Sequence, residues 1–586
     1  YSDVAIIDPV SGELTNLTNS GYFDQTPVWV MDGNALMFLS ERYGMRNHAS
    51  WGSQYDVMLA FMNQDALDRW NLSEEDLALL EDAEKKDDKK DEKDSKSKDV
   101  EVDLSRITDR IVRVTPQSAF LEDAAMTADG STLYYLSEAP DGGSQLWKFS
   151  PREEEHRLVT TLSGARGFDV TPDGKNIFIM GSTPRQLNTK TDKLTPVSYS
   201  VNTSINHDAE REYMYDYMTR EVAERFYVAD MNGVDWPGLT TAYRRFLPHI
   251  NNNYDFAELL SELLGELNVS HTGGRFSGYN ADMPDRTASL GLLFDVADNG
   301  QGGMLISEVI AGGPLDKASS KVRPGMRLTH INGTPLTPDT DLSKLLTDQA
   351  GRRTLITLSD NGSSFDEVVK PVSTGYVSQL MYDRWVKQRA ADVDRLSGGR
   401  LGYVHIESMA DDSFRKVYSD LLGKYNDREG VIIDIRWNSG GRMHEDIEVL
   451  FSGQKYFTQE IRGEETCDMP SRRWNKPSVM LIDEACYSNA HGTPWVYKHQ
   501  GLGQLVGMPV PGTMTSVNWV RMVDPAMVFG IPVIGYRLAD GSFLENQQLE
   551  PDVKVANDPA ALTAGDDAQL RTAVETLLRQ IDQAKK

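Results

Sequence analysis

A chain of 586 residues is too long for one hydrophobic core and predicts roughly three to five domains. It is 39% hydrophobic and 25% charged, the composition of a globular protein, and its net charge of −28 argues against nucleic acid as a partner, because phosphate backbones repel such a surface. No run of about 18 apolar residues occurs, so no membrane span is expected. Two cysteines, Cys467 and Cys486, exclude a disulfide-built scaffold and a multi-cysteine zinc site but leave a single bridge open.

Residues 1–204 carry a repeat. Asp32-Gly33, Asp129-Gly130 and Asp173-Gly174 each fall between two short β-rich runs, the commonest tight-hairpin signal. The last two pairs are 44 residues apart, the length of one four-stranded propeller blade. The pattern resembles the blades of tricorn- and TolB-type propellers, and a partial β-propeller is expected. A charged insertion without regular structure is expected at about 75–104, where 81–99 reads EDAEKKDDKKDEKDSKSKD with no apolar face. The chain opens at Tyr1 in strand-like sequence and three blades cannot close a ring, so further sequence ahead of Tyr1 is expected. Without it the compartment is unreadable.

From 205 the period changes. Segments 210–231 and 240–267 have apolar residues at helical spacing, the second interrupted by Pro248 and Asn251-Asn252-Asn253. A small helical domain, 205–286, is expected to carry Ser270-His271 ahead of Thr272-Gly273-Gly274 at a helix-to-loop boundary. Residues 287–373 place short strands around Asn332-Gly333 and resemble a PDZ domain, with Leu290, Gly291, Leu292 and Leu293 in the place of its carboxylate-binding loop.

Residues 374–586 read as α/β. An amphipathic helix (380–395) leads to a strand (401–406), and a further helix to an apolar strand over 431–437 followed by Asn438-Ser439-Gly440-Gly441. Another buried strand then runs into 481–492, LIDEACYSNAHG, and places Ser488 at the carboxyl end of a sheet strand, where α/β folds hold ligands. A serine there is ordinarily a turn residue or helix cap. As a nucleophile it needs a base, an orienting group and oxyanion donors. His271 and His491 are the histidines in loops beside glycines or small polar residues. His491, three residues beyond Ser488, would lie one helical turn onward.

The order propeller, helical domain, PDZ domain and α/β serine protease domain resembles the tricorn core protease and its bacterial homologues, relatives of the carboxyl-terminal processing proteases. Ser270-His271, DIRWNSGG, DEACYSNA and Glu545-Asn546 stand where that family has its motifs. The resemblance implies a serine protease acting on oligopeptides or unfolded polypeptides. In it Ser488 attacks, His271 is the base, Ser270 and Glu545 hold the imidazole, and the N–H of Gly440 or Gly441 and of Asn489 bind the oxyanion. Where relatives use a Lys base some tens of residues after the nucleophile, this chain has no Lys between Lys498 and Lys554. Asn489 replaces the Asp often found after the nucleophile, so no preference for basic residues is carried over. The resemblance also implies a homo-oligomer, a hexamer, no cofactor, and a cytoplasmic setting, with the periplasm as the alternative. A catalytically inactive propeller–PDZ peptide-binding scaffold is the competing reading. No HExxH or Cys/His cluster supports a metal hydrolase.

Overall fold

The computed structural model describes residues 2–48, 52–88, 100–140, 142–278 and 286–586. It divides into two compact units, Tyr1–Ser204 and Ile205–Lys586.

The first unit holds three four-stranded antiparallel sheets, each a meander of consecutive strands. They run from Asp24–Val30 to Ile111–Arg113, from Leu121–Met126 to Glu155–Leu162, and from Ala165–Val170 to Lys193–Pro196. All three Asp-Gly pairs close the first hairpin of their sheet. Asp32 and Gly33 both take positive φ, 53° and 86°. The Asp129 and Asp173 carboxylates instead accept the N–H two residues on, at 3.0 and 3.1 Å, as Asx turns. Helix Gln64–Trp70 precedes the insertion expected to lack regular structure, and the start of that insertion is itself helical, over Glu74–Asp88. Asn63 caps the first through its side chain, and acidic residues fill the first turn of the second, where the helix dipole favours them. The rest of the charged run, 89–99, lies outside the described residues.

The second unit begins with helices His207–Arg225, Trp236–Arg244 and Asn253–Gly265, broken around Pro248 as the sequence predicts. Their apolar faces share one core with a later hairpin: Met218, Phe256 and Leu260 pack with Met527, Phe529 and Ile531. Strand Gly273–Phe276 pairs antiparallel with Met527–Gly535, which pairs with Thr515–Arg521. Gly274 makes this close approach possible, since a Cβ there would sit 2.8 Å from the Ala257 carbonyl oxygen and 2.9 Å from Leu260 Cβ.

Residues 288–369 form an antiparallel sheet in the order Leu292–Phe294, Met304–Val309, Arg327–Ile331, Thr354–Asp360, Ser363–Val369, around its own core. Helix Thr374–Ser397, capped by Ser373, then leads into an all-parallel sheet: Leu401–His405, Gly430–Asp434, Ser478–Ile482, Gln504–Gly507, Val553–Lys554. Tyr403, Ile432, Leu481 and Val506 pack against helices Thr374–Ser397 and Ala568–Ala584. The alternate residues Val404, Ile433, Met480 and Leu505 are equally buried, so both faces are covered, as a parallel sheet requires.

The strand expected over 431–437 ends at Asp434. The Asp434 carboxylate accepts the Arg436 N–H (3.1 Å) and guanidinium (2.7 Å), which turns the chain, and Trp437 takes φ 61°. Cys467 and Cys486 are both free. No described helix is long and apolar enough to cross a membrane.

Candidate active site

Strand Ser478–Ile482 is wholly buried and delivers the chain into a tight turn. Asp483 Oδ1 gathers that turn by accepting the N–H of Trp437 (3.1 Å) and Ala485 (3.2 Å) and the Cys486 thiol (3.3 Å). Tyr487 N–H donates to the Asn438 carbonyl (3.0 Å), and Ser488 N–H to Thr513 Oγ1 (3.0 Å). Ser488 is held at φ 59°, ψ −124° and opens helix Asn489–His499, yet its side chain makes no capping bond. A non-glycine residue in such a conformation costs about 1–3 kcal/mol and persists only when its surroundings over-determine it. A strained serine between a buried strand and a helix presents its hydroxyl above the sheet edge.

The loop after Gly430–Asp434 meets this turn. Asn438 is fully buried, donates Nδ2 to the Ile406 carbonyl (2.8 Å) and accepts the Gly440 N–H (2.8 Å). A Cβ on Gly440 would lie 2.5 Å from Ser488 Cβ and 3.0 Å from its Oγ. Only glycine lets this backbone pass the serine so closely. The N–H groups of Gly441 and Asn489 donate to no acceptor among the described residues. The Asn489 side chain faces away from that role: its Oδ1 accepts the Met443 and His444 N–H (2.7 and 3.1 Å), and its Nδ2 donates to His444 Nδ1 (2.8 Å).

Ser270 and His271 arrive just ahead of strand Gly273–Phe276. His271 has φ 65°, its N–H donates to the Tyr487 hydroxyl (2.8 Å), and its ring lies 4.8 Å from the Tyr487 ring. Glu545 is 5% exposed and accepts both the Ser270 N–H (2.6 Å) and the Ser270 hydroxyl (3.1 Å). With its proton directed to Glu545, Ser270 Oγ accepts from His271 Nδ1–H at 2.7 Å. That network selects the tautomer that leaves the Nε2 lone pair free. Burial pushes the His271 pKa down to about 4 and raises that of Glu545. No hydrogen bond joins Ser488 Oγ to His271. Contacts of this kind commonly tighten only on substrate binding.

Two other groups singled out in the sequence stand apart from this relay. His491 is fully buried and accepts the Thr513 N–H at Nδ1 (3.2 Å), so it braces the residue that holds Ser488, and its Nε2 makes no hydrogen bond to the hydroxyl. Leu290, Gly291, Leu292 and Leu293 lie on the separate antiparallel sheet. Leu290 and Leu292 are in its core, and the Gly291 N–H is taken by Ser289 Oγ (3.1 Å).

Sequence reasoning missed Thr515, Thr513 and the Tyr487 hydroxyl. Thr515 Oγ1 lies 3.1 Å from both Ser270 Oγ and His271 Nδ1. It sits in a mixed polar and apolar strand, TSVNWVR, without a motif, and only the pairing of that strand brings it to the histidine. Also unread was a cavity of about 510 Å³ beside the site, lined by His444, Gly492, Trp495, Met514, Tyr536 and Leu544 among others. Among the described residues no cluster of His, Cys, Asp and Glu could hold a metal ion.

A serine on a strained turn beyond the carboxyl end of the central strand of a parallel sheet, with a histidine oriented by a hydroxyl and a carboxylate, is the arrangement of a serine hydrolase. In agreement, residues 400–555 match peptidase family S41 and residues 207–265 match the tricorn protease C1 domain. Tricorn protease homolog 1 of Streptomyces coelicolor is 26% identical over 522 residues, 82% of this chain and 48% of that protein. Tricorn protease of Thermoplasma volcanium is 24% identical over 363 residues, 58% of this chain and 34% of that protein. The crystal structure of the tricorn protease superposes over 99% of this chain and 57% of that one, with a TM-score of 0.78 at 17% identity. The chain is thus similar in sequence to tricorn proteases over most of its length, and two of its segments match family models. It spans about half the length of the first of these relatives and a third of the second.

Proposed function

We propose that this chain is a serine peptidase that hydrolyses peptide bonds in oligopeptides or unfolded polypeptides through an acyl-enzyme on Ser488. The observation that carries the proposal is the relay Glu545–Ser270–His271, three residues drawn from segments some 275 positions apart and bonded in series beside a strained serine. His271 Nε2 takes the Ser488 proton as Oγ attacks the scissile carbonyl. The carboxylate of Glu545, acting through Ser270, stabilises the imidazolium that forms. That imidazolium then protonates the leaving amine, and water cleaves the ester by the same steps in reverse.

Of the two candidate glycines, we assign the oxyanion donor to Gly441, with Asn489 as the second, because the Gly440 N–H is used by Asn438. Each such donor is typically worth about 10²–10³ in rate. The cavity lined by Trp495, Met514, Tyr536 and Leu544 borders Thr515 and Glu545 in sequence and suits a large apolar residue on the acyl side of the cleaved bond.

The remaining assignments rest on pattern and family. The three meanders are blades of a partial propeller, residues 287–373 are a PDZ domain whose 290–293 turn receives a peptide carboxylate, and the assembly is a homo-oligomer, a hexamer by resemblance. Fluorophosphonate labelling with peptide mapping tests the activity. Label on Ser488 together with turnover of a peptide carrying Phe or Leu before the cleaved bond is expected, and Ser488→Ala abolishes both. Unlabelled Ser488, or turnover that survives Ser488→Ala, would overturn the proposal.

A further inference from the structure

A second cavity, of about 360 Å³, lies where helix Thr374–Ser397 crosses the ends of strands Leu401–His405 and Gly430–Asp434. It is lined by Tyr382, Trp385, His405, Glu407, Arg436 and Trp437. Trp385 is central. Its ring meets Trp437 at 5.5 Å and 74°, His405 at 5.0 Å and 85°, and Tyr382 at 6.5 Å in a stacked arrangement. Rings set at such angles form the walls of a cage rather than a flat stack.

The polar atoms of these walls are already committed. The Tyr382 hydroxyl donates to His405 Nδ1 (2.7 Å), and His405 Nε2–H donates to the Arg436 carbonyl (3.3 Å). The Arg436 guanidinium is bound by Asp434, Asp567 and Gln569. Burial, and then the Glu407 charge, raise the Tyr382 pKa, so the phenol stays neutral. What remains for a guest is aromatic surface and the exposed carboxylate of Glu407.

Trp437 shows a further sign of construction. It is 51% exposed, yet it is held at φ 61°, an outlier for a bulky residue, by its N–H bond to Asp483. Nothing in the packing of the sheet needs a tryptophan there. The fold already sets cations against these rings: Lys416 Nζ lies 6.0 Å from the Tyr382 centroid and the Arg436 guanidinium carbon 5.3 Å from that of Trp437. Lys416 does not line the cavity.

The geometry points to an aromatic cage that binds an organic ammonium group, such as the side chain of a lysine in a polypeptide, through cation–π contacts with Trp385, Trp437 and Tyr382 and the charge of Glu407. A purely apolar guest would leave the Glu407 carboxylate at the rim without a partner, and an anion would meet it directly in a chain of net charge −28. The cage adjoins the site proposed above. Trp437 directly precedes Asn438, which bonds to Gly440 N–H and Tyr487 N–H, so a guest touches the residue next to that loop. Binding itself does not depend on the peptidase assignment.

The test uses the full chain as Ser488→Ala, which removes turnover from the readout. Choline and its neutral isostere 3,3-dimethylbutan-1-ol are titrated while the 5-fluorotryptophan resonances of Trp385 and Trp437 are followed, each assigned by its Phe variant. Choline is expected to shift both resonances, with the isostere about tenfold weaker. Trp385→Leu is expected to weaken choline by about tenfold, and Glu407→Gln by a few-fold. Two otherwise identical peptides, one with lysine and one with norleucine, form a second arm. A shift with the lysine peptide only makes the natural guest peptide-borne, whereas a shift with choline alone makes it a free small cation. Equal or tighter binding of the isostere, or unchanged choline binding in a folded Trp385→Leu protein, overturns the proposal. Because Ser488 labelling is measured separately on the wild-type chain, failure here is distinguishable from failure of the peptidase reading.

Discussion

Ser488 and Gly440 have conformations that make sense only together. The serine accepts a positive φ because Thr513, Asn438 and Asp483 hold the turn around it, and the glycine lacks a Cβ because the serine occupies that space. Adding one carbon at Gly440 would place it 2.5 Å from Ser488 Cβ, and the φ of 101° disfavours any L side chain there. Gly440→Ala is therefore expected to lower kcat about 100-fold or more by moving the loop that carries Gly441, the proposed oxyanion donor, a loss comparable to removing one such donor. KM for a short peptide should change only a few-fold, and steady-state kinetics on protein whose melting transition is preserved checks this. Activity close to wild type would show that the loop tolerates displacement.

At the scale of elements, the parallel sheet and its last helix are joined by a buried ion cluster. Arg436 is fully buried and bonds Asp434 (2.7 Å), Asp567 (3.0 Å) and Gln569 (3.0 Å). Asp567 also caps helix Ala568–Ala584 through the Leu570 N–H. Burial alone would raise the Asp434 carboxyl, but the guanidinium beside it outweighs that and holds it below the usual carboxylate range. Arg436→Leu leaves the buried Asp434 carboxylate without its cation and Asp567 with only Arg389, at 3.6 Å, and breaking one partner of such a cluster typically costs about 3–5 kcal/mol. The expected result is a large drop in the midpoint of chemical unfolding. Arg436→Leu combined with Asp434→Leu should recover part of it, because the doubly apolar pair leaves less uncompensated charge. A single variant as stable as wild type would show that the cluster is dispensable.

Across the whole molecule, burial sets the response to acid. His271 and His491 are pushed down to about 4, and His156, His405 and His444 are lowered in the same direction by burial. In the unfolded chain these rings take up protons near pH 6.5, while in the folded chain they remain neutral. The unfolded state therefore binds more protons between about pH 6.5 and 4, and stability falls as pH drops through that window. The melting temperature is expected to decline there more steeply for wild type than for His491→Asn, in which one contributor is gone. With His271 as the proposed base, the acid limb of kcat/KM in the free enzyme should lie well below the ordinary histidine value. An acid limb near pH 6.5 would contradict the buried, neutral base.

The local elements, and the chemistry available at each, are legible in the chain itself. Asp-Gly pairs need left-handed or Asx backbone and so mark hairpins wherever they fall. Apolar runs too short for helices mark buried strands, and the small polar segments around Ser488, Gly440 and Ser270-His271 are legible because bulky residues could not take those turns. The end of the apolar strand was misjudged because Ile435 and Trp437 are as apolar as a strand interior, while the interaction that stops it, Asp434 with Arg436, is made by charged side chains within the same run. Only the tertiary structure decided which residues meet. Thr515 reaches His271 through the pairing of Gly273–Phe276 with Met527–Gly535 and of that strand with Thr515–Arg521, an assembly of segments about 250 residues apart that no local pattern encodes. The same pairing carries His271 to Tyr487, the residue before Ser488, and leaves His491, the near neighbour of Ser488 in sequence, buried as a brace. Local sequence fixes what a backbone segment can do, whereas proximity depends on how distant strands share hydrogen bonds and a common core.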